Sequence, residues 1–182
     1  PKPASEMLRS LVGSEMCIRD RINEAHEFLR QGFLAMKIRV GSGNNSVDIE
    51  RVRELRKAIG QEIELMADAN QGLSIDDAIA LGKALEEYDL IWLEEPVNAY
   101  DYKGHAMVKK QVAIPIASCE NEYSIEGVQK MLDAGGCDVV MPDLQRIGGI
   151  SEMRTTAHLS NSCLLYTSDA ADDTPCVDLG GR

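Results

Sequence analysis

The sequence predicts an α/β fold: about five parallel strands with helices outside them, forming part of a (β/α)-barrel. Three observations lead there. Short apolar runs alternate with amphipathic helical stretches through residues 22–161, the pattern of a parallel sheet covered by helices. Asp68, Glu94 and Glu120 each close an apolar run and stand 26 residues apart, from 68 to 94 and again from 94 to 120. A strand, a crossover helix and two loops take roughly 25 to 30 residues, so a repeat of that length sets equivalent strand ends side by side. Lastly, chemistry-bearing groups recur at the same end of strand after strand, and there is neither a GxxxxGKS/T motif nor a glycine fingerprint for a dinucleotide. Chemistry shared among many strand ends belongs to a barrel more than to a doubly wound sheet with one crevice.

Each element has a local reason. Residues 22–31 (INEAHEFLRQ) are helix formers with apolar positions at helical spacing, and Gly32 follows as a helix-end residue. FLAMKIRV (33–40) is a strand, and GSGNNS after it is loop chemistry. In residues 47–59, Ile49, Val52, Leu55 and Ile59 form one stripe among charges, which predicts an amphipathic helix ended by Gly60. IELMADAN (63–70) is a strand, and Ser74 with Asp77 three residues on predicts the N-cap of the next helix. LIWLEEP (90–96) is a strand stopped by proline, and the helix GHAMVKKQ leads to the strand IPIASCE (114–120). Ser124 opens another helix, CDVVMPD (137–143) is the fifth strand, and Ser151 caps a last helix.

The 182 residues are 44% apolar and 27% charged, the balance of a soluble globular domain. A net charge of −11 argues against nucleic acid as a partner, which needs clustered Lys and Arg. No apolar stretch approaches the roughly 20 residues that span a bilayer, so no membrane partner is expected and the cytoplasm is the expected location. Five cysteines form no CxxC pair, so reduced thiols are expected in place of a disulfide framework or a zinc site.

The flanks break the rhythm. LVGSEMCIRDR (11–21) resembles one reading frame of a transposase-based sequencing-library adapter, CLLYTSDAAD (163–172) resembles the opposite adapter, and CVDLGGR (176–182) resembles the flow-cell primer beyond it. Residues 1–21 and 162–182 are therefore expected to be adapter-derived tails that form no domain, with the partial barrel confined to 22–161. That segment carries 14 Lys plus Arg against 23 Asp plus Glu, so the acidic character is its own.

Asp68, Glu94 and Glu120 suit a hard divalent cation, which takes a few carboxylates and keeps other positions for water or substrate oxygens. Glu95 neighbours Glu94, so strand alternation turns it the other way, and a helix-side ion pair is expected for it in preference to a hydrogen bond behind the ligands. Asn70 follows Asp68 by two and is a candidate for touching substrate. Lys37 and Arg39 share one side of their strand, where they can hold a substrate carboxylate; a lysine near another cation can also move a proton, whereas arginine normally stays charged. Asp143 ends the fifth strand and can orient a histidine from a further strand. Arg146, before Ile147, Gly148 and Gly149, is placed to meet an anionic substrate. His26, His105 and His158 fall in or beside helix patterns and are expected to be surface or satisfied residues.

The segments MKIRV, MADAN, WLEEP, ASCEN and MPDLQRIGG, in that order, resemble the enolase superfamily and, within it, the mandelate racemase subgroup. LIWLEEPVNAYDYKGHA and PDLQRIGGIS most resemble its acid-sugar dehydratases. The resemblance implies an enolase-type (β/α)7β C-terminal domain and a separate capping domain. It places Mg2+ on Asp68, Glu94 and Glu120 and implies α-proton abstraction from a sugar-acid carboxylate with enediolate stabilisation. Lys37, Arg39 and Asp143 are then the catalytic candidates, Asn70 and Arg146 the substrate-binding ones, and the parent a homo-oligomer. Arg39 stands where the family usually has a second lysine, which counts against two-base racemisation. Cys119 stands where the family often has glycine. A racemase or epimerase using the same intermediate, and a truncated, non-catalytic fragment, are the alternatives.

Overall fold

The structure, a computed structural model, describes residues 18–162, 166–167 and 176–178. In chain order the elements are α1 (Ile18–Arg30), β1 (Ala35–Arg39), α2 (Asn45–Ile59), β2 (Glu64–Asp68), α3 (Ile75–Leu85), a 3-10 turn (Glu86–Tyr88), β3 (Leu90–Glu94), α4 (Tyr102–Gln111), β4 (Ile116–Ser118), α5 (Ile125–Asp133), β5 (Val139–Val140) and α6 (Ile150–Ser162). Two short strands follow, β6 (Tyr166–Thr167) and β7 (Cys176–Asp178).

β1 to β5 lie side by side in sequence order, every pair parallel. Helices α2 to α5 are thus crossovers between neighbours, which is how a barrel wall grows. β6 pairs with β5, and β7 with β1. Both short strands fall in the predicted tails, as do the first residues of α1; residues 1–17 of the N-terminal tail lie outside the described residues. Among the described residues no helix is long and apolar enough to cross a membrane.

Local chemistry accounts for the boundaries. Helix α1 ends in a Schellman motif: the Gly32 and Phe33 amides donate to the Leu29 and Phe28 carbonyls, and Gly32 takes φ +89°. The Phe28 and Phe33 rings meet edge to face at 5.5 Å, the hydrophobic contact that accompanies this stop. Asn44 caps α2 by accepting from the Ser46 and Val47 amides. Ser74 caps α3 by accepting from the Asp77 amide and donating to the Asp77 carboxylate, a reciprocal cap.

The main core lies between β1 to β4 and the helices around them, with Ile38, Leu55, Leu65, Leu81, Leu93 and Ile116 at its centre. Burying each such side chain is worth about 1.5 to 3 kcal/mol. A smaller cluster, including Val128, Met131, Val140 and Ile147, joins β4 and β5 to α5 and α6. At the carboxyl ends of the strands the loops touch main chain to main chain. A Cβ at Gly41 would stand 2.9 Å from the Ala69 carbonyl oxygen, so only glycine lets the β1 and β2 exit loops approach this closely.

Candidate functional site

Parallel register carries the side chains of β1, β2 and β3 to one rim. Arg39 is level with Asp68, and Asp68 with Glu94, so the first 26-residue interval matches the strand register. The second does not: Glu94 is level with Ala117, and Glu120 follows three residues later, in the turn after β4. Asp68 and Glu94 are buried, whereas the Glu120 side chain is 37% exposed.

Lys37 Nζ lies 3.0 Å from Glu94 Oε2 and 3.8 Å from Asp68 Oδ2, and Arg39 Nη2 lies 3.3 Å from Asp68 Oδ2. Trp92, two residues before Glu94 on the same strand face, directs its indole N–H at Glu94 Oε2 from 3.4 Å. Burial raises the Glu94 pKa above its usual value; Lys37 opposes the rise, while the Asp68 and Glu120 charges add to it. Glu94 therefore senses both other carboxylates through space.

Glu120, Asp143 and Arg146 make a second group. Arg146 Nη1 is 3.4 Å from Glu120 Oε1 and 2.7 Å from Asn121 Oδ1, and Arg146 Nε is 3.7 Å from Asp143 Oδ2. Asp143 Oδ1 accepts from the Gln145 amide, shaping the turn that returns Arg146 to the rim. Asn70 is exposed with φ +43°, and its main-chain N–H donates to Asp68 Oδ1, so what it shows Asp68 is backbone.

Carboxylate oxygens fit a hard divalent cation by chemistry. Among the described residues no three His, Cys, Asp or Glu side chains are gathered closely enough to ligate one ion. Lys37 and Arg39 instead close on Asp68 and Glu94, and Arg146 stands 3.4 Å from Glu120. The rim is built to attract positive charge.

Glu95 corrects an expectation. It is fully buried, and its partner is the Asn121 amide, whose Nδ2 donates to Glu95 Oε2 at 2.6 Å, where a helix-side cation was expected. Strand β3 ends at Glu94 and Glu95 takes φ +37°, so the alternation that would turn it outward no longer applies. Burial first, then the Glu120 and Glu94 charges, push its pKa up against the Asn121 hydrogen bonds, to about 7. Asn121 was not among the sequence candidates; its one signal was its place directly after Glu120.

Cys119, His105 and Asp48 each have a structural role. Cys119 takes φ +89°, a conformation open to glycine and costly for other residues, which explains why glycine suits this position. Cys119 and Cys137 are free and buried. Buried His105 pairs Nδ1 with the Asp101 carbonyl and Nε2 with Ser118 Oγ; it is a satisfied residue, and burial lowers its pKa. The buried Asp48 carboxylate accepts from the Gly41 and Ser42 amides at 2.9 Å each, fixing the exit of β1 just beyond Lys37 and Arg39.

The chain resembles known proteins in sequence and in fold. The chain is 40% identical over 120 residues to L-talarate/galactarate dehydratase of Salmonella typhimurium, covering 66% of this chain and 30% of the relative. It is 34% identical over 163 residues to 3,6-anhydro-alpha-L-galactonate cycloisomerase of Streptomyces coelicolor, covering 89% and 45%. The crystal structure of L-talarate dehydratase from a Polaromonas species, complexed with Mg and L-glucarate, superposes with a TM-score of 0.83 at 29% identity, covering 91% of this chain and 50% of that one. The chain spans less than half the length of these curated relatives. The family model described as Enolase C-terminal domain-like matches residues 20–164. Parallel strands in sequence order, acidic strand ends on one rim and this match together make the chain a member of the Enolase C-terminal domain-like family.

Proposed function

We propose that the whole protein is a Mg2+-dependent acid-sugar dehydratase, a hydro-lyase to which residues 22–161 contribute part of the barrel. The observation that carries this reading is the rim itself. Two cations from the end of β1 stand within 3.0 to 3.8 Å of carboxylates from the next two strands. Mg2+ held by Asp68, Glu94 and Glu120 would supply Lewis-acid stabilisation of negative charge developing on a substrate carboxylate. Arg39, which keeps its proton, holds that carboxylate. Lys37 is the neighbour able to give or take a proton. Arg146 and Asn70 contact the rest of the acid, and Asp143 orients a histidine base contributed by a further strand.

Removal of the proton α to the carboxylate and departure of the β-hydroxyl with a proton release one water. The enol left behind becomes a 2-keto-3-deoxy acid. Arg39 weighs against racemisation, because reprotonation from the β1 side needs a group that parts with its proton readily. The identity to L-talarate/galactarate dehydratase supports the sugar-acid class. The family match over 20–164 covers the whole of 22–161, the segment read as the partial barrel.

Two experiments test the proposal. Titration calorimetry of the 182-residue chain with Mg2+ is expected to show binding that Glu94→Gln weakens by about tenfold or more, 1.4 kcal/mol; equal binding by the variant refutes the ligand assignment. Screening the full-length protein against sugar acids is expected to yield 2-keto-3-deoxy products. Exchange of α-deuterium with no dehydration of any acid would overturn the hydro-lyase reading.

A further inference from the structure

We propose that Asn121 is a positioning residue that holds the Arg146 guanidinium off the Glu120 carboxylate and thereby keeps Glu120 open to a cation. The second clause rests on the reading of Glu120 as a cation ligand. Arg146 is flanked by two carboxylates, yet its shortest contact is to a neutral amide. Nη1 lies 2.7 Å from Asn121 Oδ1, 3.4 Å from Glu120 Oε1 and 3.3 Å from the Glu120 carbonyl, while Nε lies 3.7 Å from Asp143 Oδ2. Unhindered guanidinium and carboxylate groups close to about 2.7 to 2.9 Å. Charge alone would pull Arg146 the other way.

The amide wins because it is itself held. Its Nδ2 donates to Glu95 Oε2 at 2.6 Å, Glu95 is fully buried, and the main-chain carbonyl of Asn121 accepts from the Tyr100 hydroxyl at 3.3 Å. The partners also fix which way the amide faces. A guanidinium only donates, so Oδ1 must face Arg146, and Nδ2 is left to face Glu95 Oε2. A carboxamide is the side chain that joins an acceptor to a donor in this way; aspartate would set two carboxylates against each other, and serine is too short to span them.

The test combines a structure with a double-mutant cycle. In the Mg2+-free crystal structure of Asn121→Ala, Arg146 Nη1 is expected to close on Glu120 Oε1 to about 2.8 Å. In calorimetric titrations with Mg2+, Asn121→Ala is expected to weaken binding about three- to tenfold when Arg146 is present and to leave it unchanged in an Arg146→Ala background. Equal losses in both backgrounds would mean that Asn121 merely supports its loop, and overturn the proposal; so would an unchanged Arg146 to Glu120 spacing. If the spacing contracts but the unsubstituted chain binds no Mg2+, the restraint on Arg146 stands and the ligand reading of Glu120 falls.

Discussion

Replacing Glu95 with glutamine should stabilise the protein in a way that depends on pH. Glu95 is fully buried, one oxygen accepts from Asn121, and Oε1 finds no hydrogen-bond partner among the described residues. Burial raises its pKa from the usual 4.5 to about 7. Each pH unit between the two values is worth about 1.4 kcal/mol, so ionising the folded form costs about 3 kcal/mol more than ionising the unfolded chain. Below pH 4.5 the carboxyl is protonated in both states and its favourable contribution is fully present. As pH rises toward 7 the unfolded chain releases the proton first and stability falls; above the folded value the loss is complete. Glutamine has nearly the same shape, keeps an acceptor for Asn121 Nδ2 and never ionises. Its advantage over the wild type should therefore open between about pH 4.5 and 7 and level off near 3 kcal/mol. Urea unfolding followed by circular dichroism at several pH values reads this as a midpoint shift of about 1 to 3 M, given slopes of about 1 to 3 kcal/mol/M. A difference that does not change with pH, or a wild type that gains on the variant as pH rises, would refute the reasoning.

Other perturbations probe the frame and the rim. The buried Arg56 guanidinium donates to the carbonyls of Gly60, Ile63, Tyr88 and Asp89, so Arg56→Ala should cost about 3 to 5 kcal/mol in chemical unfolding. Arg56→Lys, a point charge without the planar fork, should recover only part of that; full recovery would show that charge, not geometry, matters there. Cys119→Gly should be more stable than Cys119→Ala by about 1 to 2 kcal/mol, because both lose the sulfur and only glycine escapes the penalty of positive φ; the reverse order counts against strain at this position. Lys37→Met removes a charge that holds the Glu94 pKa down, so the pH at which Mg2+ binding is half lost should rise, and calorimetry across pH that finds it unmoved would separate Lys37 from the site.

Much of the fold was legible because its signals are local. The apolar stripe of α2, the serine cap of α3, the glycine after α1 and the proline after β3 each act within a few residues, and such interactions carry their meaning in the chain. The 26-residue interval marked the neighbouring strand ends of Asp68 and Glu94. It placed Glu120 less well, because β4 is only three residues long and its acidic residue lies in the following turn.

By itself, then, the sequence determined the α/β alternation, the rim on which the acidic residues gather, and the pairing of Lys37 with Arg39 on one strand face. Tertiary structure alone decided where side chains point once the strands have ended. Glu95 turned inward because its backbone leaves the β region at φ +37°, and Asn121 became the link between Glu95 and Arg146 because two loops from different strands converge there. Within a strand, alternation follows from covalent geometry and repeats every two residues. Beyond its end each φ is set by the loop's own packing and hydrogen bonds, and those partners lie 25 or 26 residues away along the chain.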